Sequence, residues 1–179
     1  MLHEYLSRLA RDYVFERSKN FSGSEFGNFV RHDIAIEAKK RLLFLPYEVE
    51  VKASVGQSRW AAVPWLAFFD PLITDTATRG FYVVYLINAQ TEEIVLSLNQ
   101  GTTEVYREFG ENDKGRKILA RRAVDLTERV PEFSEKFSAD PLISVRAKIF
   151  QQDMLRGMRS EKSIRQMQLI PSNSMKILK

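Results

Sequence analysis

The 179-residue chain contains no cysteine and only two histidines. The first absence removes disulfides, thiolate metal ligands and any sulfur nucleophile. The second leaves little for histidine chemistry: His3 and His32 fall in separate expected helices near the N-terminus, and His32 reads as a helix-surface or boundary residue. Three catalytic signatures are also missing, namely the GxxxxGK[ST] phosphate loop, the GxSxG nucleophile elbow and the HExxH zinc helix. No apolar run reaches membrane-spanning length, and the opening MLHEYLSRLARDYVFERSKN carries a charge every few residues where a signal peptide needs an unbroken apolar stretch. No repeat or low-complexity tract stands out. These absences lead to the expectation of a cytoplasmic protein with no membrane partner, no metal and no cofactor.

What is present fits one globular domain over residues 1–179, since 44% hydrophobic content at this length is enough for a sizeable core. The ending PSNSMKILK reads as the start of another element, so the natural chain is expected to continue, with this domain as its N-terminal module. Charge is uneven. Residues 1–113 hold 12 Lys and Arg against 16 Asp and Glu, whereas residues 114–179 hold 15 against 7. A basic C-terminal part is what a phosphate-backbone footprint requires, because Lys and Arg release condensed counterions there; solvated helix faces produce the same count.

Periodicity gives the order of elements. Leu2, Leu6, Leu9 and Tyr13 recur at helical spacing, and a second helix is expected across HDIAIEAKKRL, ended by Pro46. Four strands follow: YEVEVKAS alternates, VPWLAFF and GFYVVYLI are almost wholly apolar, and EEIVLSLN alternates again, the last two joined as a hairpin through Asn88 to Glu92. A helix over KGRKILARRAVDLTERV comes next, stopped by Pro131. The fold class is therefore α/β (α+β), with a mixed, mainly antiparallel twisted sheet of about four or more strands flanked by helices.

Two stretches carry candidate chemistry. Glu50-Val51-Lys52 has the Glu-x-Lys form of metal-dependent nucleases, in which the carboxylate holds Mg²⁺ and the lysine assists an attacking water. Its partner carboxylate is missing from the expected place, since Asp33 lies in a helix, and alternating strands produce Glu-x-Lys by chance. The second stretch is SVGQSRWAAVPWLAFFDP, Ser54 to Pro71, with two tryptophans five residues apart around a Gly-Gln-Ser turn. A core strand accounts for its second half only.

That stretch, followed by RGFYVVYLI and VLSLNQGT at similar distances, resembles the McrB-type N-terminal DNA-binding domain family, the specificity module of methylation-dependent type IV restriction systems. The likeness is strongest over residues 47–103. It implies a double-stranded DNA partner containing a modified cytosine, 5-methylcytosine or 5-hydroxymethylcytosine, which is rotated out of the duplex into an aromatic pocket. A flipped base needs a flat π surface to replace its lost stacking, and the gap it leaves must be filled. By resemblance Trp65 is the stacking wall, Tyr82 and Leu86 line the pocket, and Phe137 is a second aromatic; for Trp65, Tyr82 and Leu86 packing in the core is the competing assignment. Gly56, Gln57 and Ser58 form the wedge loop, with Gln57 at its tip, although family members often have glycine at the Ser58 position and can have an aromatic at that of Gln57. Arg59, Arg121 and Arg122 are assigned to the DNA backbone, and Trp60 to packing beneath the loop. The domain itself is expected not to be an enzyme, with cleavage left to a nuclease or NTPase module in the same protein or a partner subunit. The rival expectations are a nuclease built on Glu50 and Lys52, and an interaction domain whose aromatic pocket binds something other than DNA.

Overall fold

The computed structural model describes residues 1–129, and Phe137 lies outside them. Helix α1 (Leu2–Arg17) presents Leu6, Leu9, Ala10 and Tyr13 on one buried face, as their spacing predicts. The second helical region begins seven residues earlier than the sequence pattern places it. Ser24 caps it by accepting from the Gly27 amide at 3.0 Å, and α2 (Glu25–Asn28), a π-helical segment (Phe29–Ile34) and α3 (Ala35–Lys40) run on without a break.

The sheet follows. Strands β1 (Glu50–Ser54), β2 (Trp65–Phe69), β3 (Phe81–Asn88) and β4 (Glu93–Gln100) form a meander in the order β1-β2-β3-β4, and every neighbouring pair is antiparallel. The β3–β4 hairpin turns at the expected place, with Glu92 at φ 56°. Helix α4 (Thr103–Phe109), which the sequence pattern did not yield, and α5 (Asp113–Arg129) complete the described chain.

Cross-strand partners share a face, so the register divides the sheet cleanly. One face carries Val51, Ala53, Leu66, Phe68, Tyr85, Ile87 and Ile94, and it packs with Leu9, Tyr13, Val30 and Ile34 in the main core. The other carries Trp65, Ala67, Phe69, Tyr82, Val84 and Leu86, gathered in a second cluster with Val63 and flanked by Ala62 and Ala77. The second face forms a separate buried cluster, and the candidate pocket residues Trp65, Tyr82 and Leu86 lie on it.

Candidate nucleic-acid interface

The loop between β1 and β2 is built to hold an exposed tip. The Ala61 amide donates to the Val55 carbonyl at 2.7 Å, which closes residues 55–61 into a compact turn. Gly56 sits at φ 111°, where a Cβ would collide with the Arg59 carbonyl and come within 2.8 Å of the Ala61 nitrogen, so only glycine fits. Tyr13 of α1 fastens the base of the loop: its hydroxyl donates to the Ala61 carbonyl at 2.7 Å and lies 3.4 Å from that of Val55. Burial pushes the Tyr13 phenol well above the ordinary tyrosine range, so it stays a donor. Trp60 packs edge-on against Tyr13 and Phe21 and donates its indole N–H to the Lys19 carbonyl at 2.9 Å, the anchoring position expected of it. Gln57, Ser58 and Arg59 are left exposed at the tip.

The same end of the sheet carries the tryptophan. Trp65 is the first residue of β2, opposite Ser54 on β1 and Leu86 on β3. It is partly exposed, whereas Leu86 and Tyr82 are 3% and 4% exposed. Tyr82 lies four residues from Leu86, about 13 Å along the strand, and its ring is tilted 5.1 Å from that of Phe69. Between the two ends the surface is made of the small or short side chains Ala67, Val84 and Ser97, which pair across the strands. Tyr82 and Leu86 share one face, as a period of two requires, the β2–β3 register adds Trp65 to it, and that face is closed: Ala62, Val63 and Ala77 pack on it.

Sequence reading passed over the polar part of this face. Ser97 and Asn99 lie in the alternating strand EEIVLSLN, and they are 7% and 2% exposed. Asn99 stands opposite Tyr82 and Ser97 opposite Val84. The signal was there in outline, because asparagine is depleted in strands and one two residues from a serine on an otherwise apolar face calls for a partner. Burial raises the Tyr82 phenol above its ordinary value, a shift partly opposed by the hydrogen bond from Asn99.

The remaining candidates lie elsewhere. Arg121 and Arg122 are exposed on α5, whose Leu119 carbonyl accepts from the Gln100 side chain at 2.8 Å. Gln100 pairs with Phe81, so this tie is at the end of the sheet away from Trp65. Glu50 and Lys52 are both half-exposed and form an ion pair at 3.1 Å, and the Lys52 ammonium also donates to the Asp75 carbonyl at 2.7 Å and lies over the Phe69 ring. Among the described residues no three His, Cys, Asp or Glu side chains are grouped to hold a metal ion, and no helix is long and apolar enough to cross a membrane.

An antiparallel meander backed by helices, with a braced loop at one sheet end and an aromatic cluster beside it, defines a domain of the mixed α/β class. The chain belongs to the family described as MrcB-like, N-terminal domain, whose model matches residues 8–169. This makes it a DNA-binding domain of a restriction system. No curated protein and no solved structure matches the chain significantly.

Proposed function

We propose that residues 1–179 act as a single module that recognises a modified cytosine, 5-methylcytosine or 5-hydroxymethylcytosine, in double-stranded DNA by flipping it, as part of a phage-defence restriction system. The observation that supports this most directly is the pairing of the braced, exposed Gly56–Arg59 loop with the partly exposed Trp65 at one end of the sheet. Gln57 at the tip enters the duplex and fills the space of the displaced base, and Arg59 beside it contacts a phosphate. The base enters past Trp65, which is the part of the second face already open to solvent, and reaches Leu86 and Tyr82 once Ala62 and Ala77 give way. Phe137 is kept as the second stacking aromatic, and Arg121 and Arg122 as backbone contacts. The domain contributes specificity, and cleavage falls to a nuclease or NTPase module in the same protein or a partner subunit.

The test is a binding panel of otherwise identical duplexes carrying cytosine, 5-methylcytosine, 5-hydroxymethylcytosine or glucosylated cytosine at one position. Tighter binding to one of the modified duplexes is expected. Equal affinity for all four refutes modified-base recognition, and affinity that ignores salt refutes a phosphate contact.

A further inference from the structure

We propose that Asn99 is the residue that reads the hydrogen-bonding edge of the flipped base, and that Tyr82 locks its amide in the orientation that accepts cytosine and rejects thymine; this inference rests on the base-flipping reading above.

Asn99 is a buried amide held by two long hydrogen bonds. Its Nδ2 donates to the Tyr82 hydroxyl at 3.5 Å and its Oδ1 accepts from the Ser97 hydroxyl at 3.5 Å, both at the long limit for a hydrogen bond. At 2% exposure each polar atom of this amide has one partner, which leaves one of its two donor protons and one of its two acceptor lone pairs unused. It projects from the sheet face that carries Trp65 and Leu86, at the far end of the Ala67, Val84 and Ser97 floor.

The chain of donors fixes which way the amide faces. The Ala77 carbonyl can only accept, and the Tyr82 hydroxyl donates to it at 3.4 Å. With its single proton committed there, the Tyr82 oxygen is an acceptor, so the Nδ2 side of Asn99 must turn toward it. One Nδ2 proton and one Oδ1 lone pair then remain, side by side. Cytosine presents an N3 acceptor beside an N4 amino donor, which is the complementary pair. Thymine presents the reverse, an N3–H donor beside an O4 acceptor, and could be satisfied only by an amide turned through half a rotation. Breaking the Tyr82 link would permit that rotation. With the 5-substituent held at Leu86, the base cannot slide to offer a different edge.

This polarity matters because 5-methylcytosine and thymine both carry a 5-methyl group. Contacts to that group cannot separate them, so a pocket selected for the methyl group needs an edge reader to avoid thymine. A bidentate amide contact of this kind distinguishes bases by about 5- to 150-fold.

The experiment measures binding of the full chain to three duplexes that differ only at the target position, each with the same abasic site opposite: cytosine, 5-methylcytosine and thymine. The wild type is expected to bind 5-methylcytosine more tightly than thymine by a factor in that range. Asn99→Leu should bring this ratio close to one, and Tyr82→Phe should lower it as well, chiefly by improving the binding of thymine. Asn99→Asp keeps the shape but offers only acceptors when ionised, and should weaken 5-methylcytosine. Should Asn99→Leu fail to fold, the Tyr82→Phe and Asn99→Asp proteins carry the test. A wild type that prefers 5-methylcytosine to cytosine but binds thymine equally overturns the inference alone. So do folded Asn99 and Tyr82 variants that keep the wild-type ratio. A wild type with no preference among the three duplexes overturns base recognition and this inference together.

Discussion

Tyr13→Phe removes one oxygen atom, keeps the ring, and tests whether the β1–β2 loop is held from the helical layer. The hydroxyl makes a 2.7 Å bond to the Ala61 carbonyl, while the ring packs against Phe26 and Trp60 and is 1% exposed. Losing a hydrogen bond and leaving a partly buried carbonyl unpaired costs about 1–2 kcal/mol. For a chain of this size that corresponds to a fall in Tm of about 2–8 °C. The Ala61 amide keeps its own bond to Val55, so the loop should loosen without detaching. Urea unfolding followed by tryptophan fluorescence measures the first quantity, and hydrogen exchange at the Ala61 amide the second. Exchange there should accelerate by about tenfold for each 1.4 kcal/mol lost locally. The variant should also lose part of its preference for modified DNA, since a wedge that must be ordered on binding sacrifices affinity to that ordering. Unchanged stability together with unchanged Ala61 exchange would show that the hydroxyl does not brace the loop.

Four further outcomes can be checked. Trp65→Ala should remove about 1–3 kcal/mol of base stacking and abolish the preference for modified DNA while backbone affinity survives; a folded variant that still discriminates in a fluorescence-anisotropy titration rules Trp65 out of the pocket. Reversing charge at both Arg121 and Arg122 should weaken binding to modified and unmodified duplexes alike and flatten the dependence of log K on log salt, and an unaltered slope removes α5 from the footprint. Glu50→Ala should leave DNA affinity nearly intact, because that carboxylate is paired with Lys52 on an edge strand; Mg²⁺-dependent nicking that stops in this variant would instead support the nuclease alternative. Tyr13 and Tyr82 both have raised folded-state pKa values, so their contribution to stability is complete below the unfolded value near pH 10 and is lost as pH rises above it. Alkaline unfolding should therefore set in above about pH 10 and be shallower in Tyr13→Phe, and an identical pH profile for that variant contradicts the assignment.

The strands were legible because their chemistry is local: apolar alternation and β-branched or aromatic runs mark β1 to β4, and the Asn88–Glu92 turn follows from its composition. The stretch from Glu25 to Arg31 was not. Its single glycine, Gly27, interrupts the helical pattern although it is a helical position against the Arg31 guanidinium, and Phe26, Phe29, Val30 and Ile34 have helical spacing. Helix α4 is seven residues long, too short for periodicity to show. For the site, period two puts Tyr82 and Leu86 on one face of their strand but cannot tell which face the helices cover, and the register that adds Trp65 to that face belongs to the fold. The brace from Tyr13 joins residues 48 apart, and no local pattern encodes such a contact.

Position along the sheet constrains how both proposed contacts can meet one duplex. The loop and Trp65 are at the Leu86 end of β3, whereas α5 is tied through Leu119 and Gln100 to the Phe81 end, five residues away. Five strand steps span about 17 Å. That is about five base-pair rises of 3.4 Å, or half a turn of B-DNA. Arg121 and Arg122 lie within one helical turn of Leu119, so on the flipping proposal, with the duplex axis along β3, the phosphates they reach should lie roughly half a turn from the flipped base rather than beside it. Extrusion itself costs a few kcal/mol, comparable to what stacking on one tryptophan returns. On the flipping proposal, the preference for a modified base is a small difference between two similar quantities, and the affinity that holds the complex together would come from the sequence-independent contacts. A duplex cut to fewer than five base pairs on the α5 side should therefore lose overall affinity and salt dependence while keeping its discrimination between modified and unmodified cytosine.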